Sequence, residues 1–170
     1  MKISVLGAGG WGTTLGILLH YNGHQVTLWE YKKNYVKELI KKRINTLYLP
    51  GVKIPEEIEI THDLKESVHQ KNLIVLSVPS QFLRSVIEDV SYSEIKNAIL
   101  VSVAKGIENK HLMTMSQMLK DVHPNLSDDQ IGVLSGPSHA EEVSKRIPTA
   151  VVAASTERET SKSIQAAFMN

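Results

Sequence analysis

The feature that most constrains the fold is a glycine-rich turn near the amino end, residues 7–12 with the sequence GAGGWG. An apolar run at residues 3–6 precedes it, and apolar residues at helical spacing follow it from position 15. Gly7, Gly9 and Gly12 have the spacing G-x-G-x-x-G. In this pattern the first glycine permits a tight turn, the second lets a pyrophosphate approach the backbone, and the third lets the helix pack close to the strand. The N-terminus of the following helix offers unpaired N–H groups to phosphate. We therefore predict a strand-turn-helix unit that binds a dinucleotide.

An acidic residue after the second strand supports this interpretation. The apolar stretch 25–29 predicts that strand, and Glu30 follows it, 18 positions after Gly12. Dinucleotide-binding units carry an acid near this position, where it accepts hydrogen bonds from the ribose hydroxyls. The alternative is a purely structural turn without a ligand, since an isolated G-x-G-x-x-G pattern has low specificity. The surrounding strand, helix and acid favour binding.

Glu30 favours NAD, whereas the lysines that follow it favour NADP. A carboxylate would repel the 2′-phosphate of NADP, whereas Lys32 and Lys33 could pair with it. Tyr31 could border the adenine of either coenzyme. Exposed ion pairs contribute about 0–1 kcal/mol each, and a buried carboxylate facing a phosphate is a larger penalty. We expect use of both coenzymes with a lean towards NAD, provided that Glu30 points inward.

Strand-like and helix-like segments alternate along the rest of the chain. Apolar runs predict strands at 73–78, 98–102, 131–135 and 149–154, with a short strand at 59–61. Helices are predicted through residues 36–40 and at 64–68, 81–89, 112–122, 141–145 and 157–169, and residues 45–55 as a loop. This alternation predicts a Rossmann-type, doubly wound α/β fold, with a mainly parallel sheet and helices on both faces. Residues 1–170 are expected to form one domain.

Three loops that follow predicted strands are candidates for a ligand cleft, since ligands of such folds bind beyond the carboxyl ends of the strands. Val78 ends one strand and Pro79 follows it. Lys105 follows the next and could meet a phosphate or a polarised carbonyl. Gly136 and Ser138 follow the third. Each loop also has an ordinary structural interpretation. The first could be a strand-to-helix turn, the second could simply carry a solvent-exposed lysine, and the third could be a helix cap.

Composition excludes several classes of function. Lys and Arg number 19 against 18 Asp and Glu, so no net field favours a nucleic acid or an anionic membrane. The absence of cysteine excludes disulfides and thiolate catalysis. We find no signal peptide, no apolar run of transmembrane length and no indication of a metal site. We expect a soluble, cytoplasmic protein.

Five motifs, in order, resemble the bacterial NAD(P)-dependent glycerol-3-phosphate dehydrogenases. They are GAGGWGT at 7–13, the segment 45–51 ending in YLPG, VPS at 78–80, AKGIE at 104–108 and LSGPSHA at 134–140. The resemblance implies NAD or NADP as the cofactor. It further implies contacts to the dinucleotide from Gly10, Trp11, Tyr31, Lys105 and Ala140, and contacts to the substrate from Lys105, Gly136 and Ser138.

The resemblance also implies an activity. It is hydride transfer that interconverts dihydroxyacetone phosphate and sn-glycerol 3-phosphate, feeding glycerophospholipid synthesis, in an enzyme expected to be a homodimer. Gly10 and His139 depart from the serine and the aromatic residue that are frequent at these positions in the family. The family's general acid/base lysine lies in a Leu-Lys-Asn segment at the start of a second, helical domain, and residues 1–170 contain no such segment. We therefore expect the coenzyme-binding domain alone, inactive by itself, with that lysine beyond Asn170.

Two other interpretations of the sequence remain open. The chain could be a non-catalytic module that senses a dinucleotide and alters a contact with a partner protein. It could also belong to a related dehydrogenase that acts on a different small acid.

Overall fold

A computed structural model describes residues 1–169, which alternate between strands and helices. The strands are β1 (Lys2–Leu6), β2 (Gln25–Trp29), β3 (Ile44–Asn45), β4 (Leu49–Lys53), β5 (Glu59–Thr61), β6 (Leu73–Leu76), β7 (Ile99–Ser102), β8 (Ile131–Ser135) and β9 (Val152–Ala154). The α-helices are α1 (Gly10–Tyr21), α2 (Lys33–Lys42), α3 (Leu64–Val68), α4 (Ser80–Glu88), α5 (Tyr92–Ile95), α6 (Met115–Val122), α7 (Ala140–Ser144) and α8 (Arg158–Phe168). A short 3-10 helix spans Asp128–Gln130.

Seven strands form one sheet in the order β5-β2-β1-β6-β7-β8-β9. The pairs from β5 through β8 are parallel, and β9 runs antiparallel to β8. The chain moves outward from β1 to β2 and β5, then returns to the other side of β1 with β6. The order therefore reverses between β1 and β6, the place where doubly wound sheets bind ligands.

Alternate residues of the central strands pack on opposite faces of the sheet. Ile3 and Val5 of β1 join one core cluster with α1, α2 and α8, whereas Leu6 joins a second cluster with α3, α4, α5 and α6. Strand β6 divides in the same way, with Val75 in the first cluster and Ile74 in the second. The predicted doubly wound α/β fold, with helices on both faces of a mainly parallel sheet, is therefore confirmed.

Two segments differ from the prediction. Residues 45–55 were expected to be a loop, but β3 and β4 form a separate antiparallel ribbon. Pro50 and Gly51 argue against a central strand, and they are tolerated here because this ribbon lies outside the main sheet and needs few ladder hydrogen bonds. Strand β9 was expected in a parallel sheet. The connection before it holds only α7, which has no buried residue, and Arg146 turns the chain with φ 59°, so the segment doubles back instead of crossing over.

Helix boundaries also differ by a few residues. The helix predicted at 81–89 is α4, which begins one residue earlier, at Ser80, with Pro79 at the N-cap position. Helix α6 begins at Met115, three residues later than predicted, because Thr114 and Gln117 form a capping box there. Among the helices described in residues 1–169, none is long and apolar enough to cross a membrane.

Candidate functional site

The glycine-rich turn packs closely against the segment that follows β6 and against its own backbone. Gly7 has φ +106°, and a Cβ atom there would lie 3.0 Å from the backbone of Ser77 and Val78. A Cβ at Gly12 would lie 1.9 Å from the carbonyl oxygen of Gly7. No other residue fits these two positions, because one needs a left-handed backbone and the other lets α1 approach β1 closely. Gly7 and Gly12 thus fix where α1 begins.

The N-terminus of α1 is open. Gly9 is its N-cap residue, no side chain caps the helix, and its first turn holds no acidic residue. A Cβ at Gly9 would meet no atom within 4 Å. The N–H groups of the first turn have no partner within the helix and carry a partial positive charge. This end of α1 can therefore receive an anion at close range.

A cleft of about 360 Å³ extends from this helix end along the carboxyl ends of β6, β7 and β8. It brings together six residues that the sequence predicted for the site: Trp11, Val78, Pro79, Lys105, Ser138 and Ala140. It is also lined by Ser77, Ser80, Val103, Ala104 and His139. Three loops and the start of α1, which lie far apart in sequence, thus form one site.

The polar groups of the cleft have different environments. Lys105 is exposed, so its ammonium is free to reach a ligand. Ser138 is buried, and its Oγ lies 3.5 Å from the carbonyl oxygen of Gly136. Ala140 begins α7, and its carbonyl oxygen accepts a hydrogen bond from Thr14 Oγ1 at 3.3 Å, which holds α7 against α1. The cleft offers an exposed positive charge and a buried hydroxyl.

Glu30 and Tyr31 do not line this cleft. They follow β2, which pairs with β1 on the side away from β6. Like the cleft, they lie at the carboxyl ends of the parallel strands. Glu30 is 6% exposed, and its Oε1 accepts a hydrogen bond from the backbone N–H of Lys32 at 3.2 Å. The Lys32 ammonium lies 5.2 Å from the centre of the exposed Tyr31 ring, and contact with Tyr31 raises the pKa of Lys32. The carboxylate is thus turned inward while the neighbouring cation is outside.

Gly10 and Gly136 contact other parts of the chain. A Cβ at Gly10 would lie 2.5 Å from the carbonyl oxygen of Tyr48, because the β3–β4 ribbon covers this position. A Cβ at Gly136 would lie 2.7 Å from the carbonyl oxygen of Ala150, and Gly136 does not line the cleft. Packing against the rest of the chain therefore favours glycine at both positions, independently of any ligand.

Sequence reasoning missed Asn45, a fully buried residue that ties the ribbon to the glycine-rich turn. Its Nδ2 donates to Ala8 O and to Thr13 Oγ1, both at 2.8 Å, and its Oδ1 accepts from Tyr48 N at 3.0 Å and from the Tyr35 hydroxyl. Both N–H groups of the Asn45 amide donate and both lone pairs of its oxygen accept, so the side chain uses its full hydrogen-bonding capacity. The only signal in the sequence was a polar residue at the start of a predicted loop, which is ordinary.

A second missed feature is the contact of Arg84 with Glu108. Arg84 Nε lies 2.6 Å from Glu108 Oε1, and the Arg84 guanidinium holds the pKa of Glu108 at about 2. Asp121 and His111 join the same network. Glu108 ends the loop that carries Lys105, so this network lies next to the cleft.

A larger cavity, of about 590 Å³, lies at the amino ends of β1 and β2, at the edge of the sheet opposite to the cleft. It contains none of the predicted site residues. Among residues 1–169, no three His, Asp or Glu side chains are grouped closely enough to hold a metal ion. The cleft at the carboxyl ends remains the site where fold and predicted residues coincide.

Comparisons with known proteins agree on one family. Residues 2–161 match the family model described as NAD-dependent glycerol-3-phosphate dehydrogenase N-terminus. The glycerol-3-phosphate dehydrogenase [NAD(P)+] of a Thermoanaerobacter species is 49% identical over 170 residues, which are 100% of this chain and 50% of that protein. The enzyme of the same name from Fusobacterium nucleatum is 45% identical with the same coverage. The chain spans about half the length of the curated relatives it matches.

Solved structures agree with this result. The crystal structure of glycerol-3-phosphate dehydrogenase from Coxiella burnetii superposes with a TM-score of 0.88 at 30% identity, covering 99% of this chain and 51% of that one. A diketoreductase superposes with a TM-score of 0.71 at 14% identity, which shows a common fold only.

Proposed function

The chain belongs to the NAD-dependent glycerol-3-phosphate dehydrogenase family, and we propose that it is the coenzyme-binding part of an enzyme that interconverts dihydroxyacetone phosphate and sn-glycerol 3-phosphate. The family uses NAD(P), and the chain matches the amino-terminal half of the enzyme. The observation that carries the proposal is the open N-terminus of α1, which continues directly into the cleft that holds Lys105 and Ser138.

The residues present fit a dinucleotide. The space over Gly9 admits a pyrophosphate, and the first-turn N–H groups of α1 can donate to it. Glu30, at the end of β2, can accept hydrogen bonds from ribose hydroxyls, while Val78 and Pro79 border the path from the helix into the cleft. When bound, the nicotinamide supplies or accepts the hydride, and the protein supplies position and electrostatics.

The substrate side of the cleft would act through charge and hydrogen bonding. Lys105 can hold the substrate phosphate or stabilise negative charge that develops on the carbonyl oxygen during reduction. The hydroxyl of Ser138 can donate to a substrate oxygen. Gly136 lies outside the cleft lining and supports the loop that carries Ser138.

The complete catalytic centre would need residues that this chain does not supply. The curated relatives are about twice as long as this chain. The family resemblance implies a general acid/base lysine in a second domain, and Lys105 is the one amine among the described residues that line the cleft. We therefore propose that residues 1–170 bind the coenzyme but do not reduce the substrate, because general acid catalysis contributes on the order of 10²–10⁴-fold.

We further propose that the complete protein is a cytoplasmic homodimer whose product feeds glycerophospholipid synthesis. The resemblance of the five sequence motifs to the bacterial enzymes supports this. Light scattering of the complete protein and cell fractionation test the two physical statements.

The experiment that tests the function has two parts. Isothermal titration of residues 1–170 with NADH should show binding, whereas an assay with dihydroxyacetone phosphate should show no turnover. In the complete enzyme, Lys105→Ala should lower kcat/KM by roughly 10- to 150-fold, because a charge-assisted contact is worth about 1.5–3 kcal/mol. Absence of NADH binding contradicts the coenzyme assignment, and wild-type kcat/KM in the variant contradicts the role of Lys105.

A further inference from the structure

The loop that carries Lys105 has little apolar packing of its own. Lys105, Gly106 and Ile107 are all exposed, and Gly106 turns the chain with φ +92°. Before them, Ala104 packs against the second core cluster, and after them Glu108 is only 4% exposed. The position of Lys105 therefore depends on how the two ends of this short segment are held.

The end at Glu108 is held by Arg84 of α4. Arg84 Nε donates to Glu108 Oε1 at 2.6 Å, and Arg84 Nη2 donates to Glu108 Oε2 at 3.0 Å. This two-point contact fixes orientation as well as distance. Arg84 Nη1 also donates to Asp121 Oδ2 of α6 at 2.6 Å, and His111 Nδ1 lies 3.0 Å from Glu108 Oε2. Both carboxylate oxygens of Glu108 are thus partnered.

A second side chain of α4 holds the backbone of the same loop. Gln81 Nε2 donates to Ile107 O at 2.7 Å, and Gln81 Oε1 accepts from the backbone N–H of Asn109 at 3.0 Å. The N–H of Glu108 donates to Met113 O at 2.8 Å, which closes the turn that follows. The loop is therefore attached at three consecutive residues by polar contacts.

The helix that makes these attachments also forms a wall of the cleft. Ser80 is the first residue of α4, and it lines the cleft beside Pro79 and opposite the segment 103–105. Ser80, Gln81 and Arg84 all lie within the first five residues of this helix. Consequently α4 fixes the loop after β7 relative to the loop after β6, and these two loops are neighbouring walls of one site.

We propose that Arg84 and Glu108 are positioning residues, which hold the Lys105 loop so that the Lys105 ammonium faces the substrate oxygen or phosphate. This inference rests on the proposed function, because it explains the polar attachments of the loop by the use of Lys105. The network acts through Lys105 and touches neither coenzyme nor substrate itself.

A purely structural role explains the network less well. Helices α4 and α6 already share an apolar interface that includes Leu83, Ile87 and Met118, so they need no ion pair to pack together. Buried ion pairs contribute little net stability compared with apolar residues of the same volume. Apolar residues would pack as well, but they would not fix the direction of the loop that carries Lys105. The two-point contact of Arg84 with Glu108 does.

The decisive test is a double-mutant cycle in the complete enzyme. Glu108→Gln should lower kcat/KM for dihydroxyacetone phosphate by roughly 10- to 100-fold, because a displacement of about 1 Å of a positioned group has an effect of that order. The Kd for NADH should change much less than kcat/KM, since Lys105 is the only proposed coenzyme contact on this loop and the glycine-rich turn lies elsewhere. In a Lys105→Met background, Glu108→Gln should add almost nothing. An equal loss of kcat/KM in both backgrounds, or no loss in either, overturns the proposal.

Controls separate positioning from folding. Glu159→Gln removes the carboxylate of an exposed pair with Lys162 on α8 and should leave every parameter as in the wild type. Arg84→Lys keeps the charge but loses the two-point contact, so it should restore only part of the activity lost in Arg84→Met. If Glu108→Gln does not fold, the double variant Arg84→Met/Glu108→Leu, which replaces the pair by apolar residues, takes its place in the cycle.

Hydrogen exchange of residues 1–170 tests the inference independently of activity. In Glu108→Gln, the amides of Glu108 and Asn109 should exchange about tenfold faster or more, while those of β7 keep their protection. If Lys105→Met has wild-type kcat/KM, the proposed role of Lys105 fails, and this exchange result alone decides whether the network holds the loop. Unchanged protection at both amides overturns the inference.

Discussion

The substitution Gly9→Ala should separate coenzyme binding from folding. Gly9 has φ −69° and ψ −178°, a conformation that alanine adopts without strain, and a methyl group there meets no atom within 4 Å. Alanine is less favourable than glycine at an N-cap position, but it lowers the entropy of the unfolded chain. These effects oppose one another, so the free energy of unfolding should change by less than about 1 kcal/mol.

Binding of the coenzyme should suffer much more. The methyl group of Gly9→Ala would stand in the open space over the N-terminus of α1, where we place the pyrophosphate. Forcing the phosphate outward lengthens its hydrogen bonds to the first-turn N–H groups. Loss of about one charge-assisted hydrogen bond corresponds to 1.5–3 kcal/mol, so the Kd for NADH should rise roughly 10- to 150-fold.

The matched control is Gly16→Ala, at a glycine in the interior of α1. Its Cβ would lie 3.7 Å from Val26 Cγ1, which is an ordinary contact, and alanine favours a helix interior by about 1 kcal/mol. This variant should be at least as stable as the wild type and should bind NADH equally well. The assays are urea denaturation and calorimetric titration of residues 1–170. Wild-type NADH affinity in folded Gly9→Ala would refute the assignment of the pyrophosphate site.

Three further predictions concern other parts of the site. Glu30→Ala should raise the affinity for NADPH relative to NADH, because it removes a buried carboxylate from the 2′-phosphate position; tighter NADPH binding by the wild type, or an unchanged ratio in paired titrations, contradicts this. Asn45→Ala should lower the free energy of unfolding by roughly 3–5 kcal/mol in urea denaturation, because several buried partners lose their hydrogen bonds; a loss below about 1 kcal/mol contradicts it. The pKa of Glu108 is about 2 in the folded chain against an ordinary value of 4.5, so the stability that its ionisation contributes should be present above pH 4.5 and be lost as the pH falls towards 2. Unfolding titrations in that range should show a smaller slope for Glu108→Gln, and an equal slope excludes this contribution.

Much of the fold could be predicted because it is specified by short segments. Strand β6 is a continuous apolar run and strands β1 and β7 are largely apolar, and the G-x-G-x-x-G spacing marks a turn whose three glycines lie within six positions of each other. The inward position of Glu30 was left open by the sequence, since the direction of a side chain after a strand depends on Thr61 and Lys32, which surround it.

The β3–β4 ribbon and the direction of β9 could not be predicted for a different reason. The ribbon contains Pro50 and Gly51, which normally break strands, and it is held by Asn45 through contacts to the distant turn at Ala8 and Thr13. Strand β9 is apolar in either orientation, and only the unburied helix α7 before it distinguishes a return from a crossover. Patterns of local hydrophobicity contain no information on such pairings.

The two halves of the site therefore differ in how the sequence determines them. The coenzyme side depends on backbone geometry at Gly7 and Gly12, which a short motif marks, although the turn also packs against Ser77 and Val78. The loop with Lys105 depends on Arg84, 21 positions earlier. Its partner Glu108 belongs to the AKGIE motif, but nothing in the sequence indicates that Arg84 and Glu108 pair. Because polar contacts between distant residues hold this loop, we expect its function to be lost by substitutions that leave the motif and the core intact. Variants at Arg84 should thus retain NADH binding while losing turnover, a combination that no substitution in the glycine-rich turn would give.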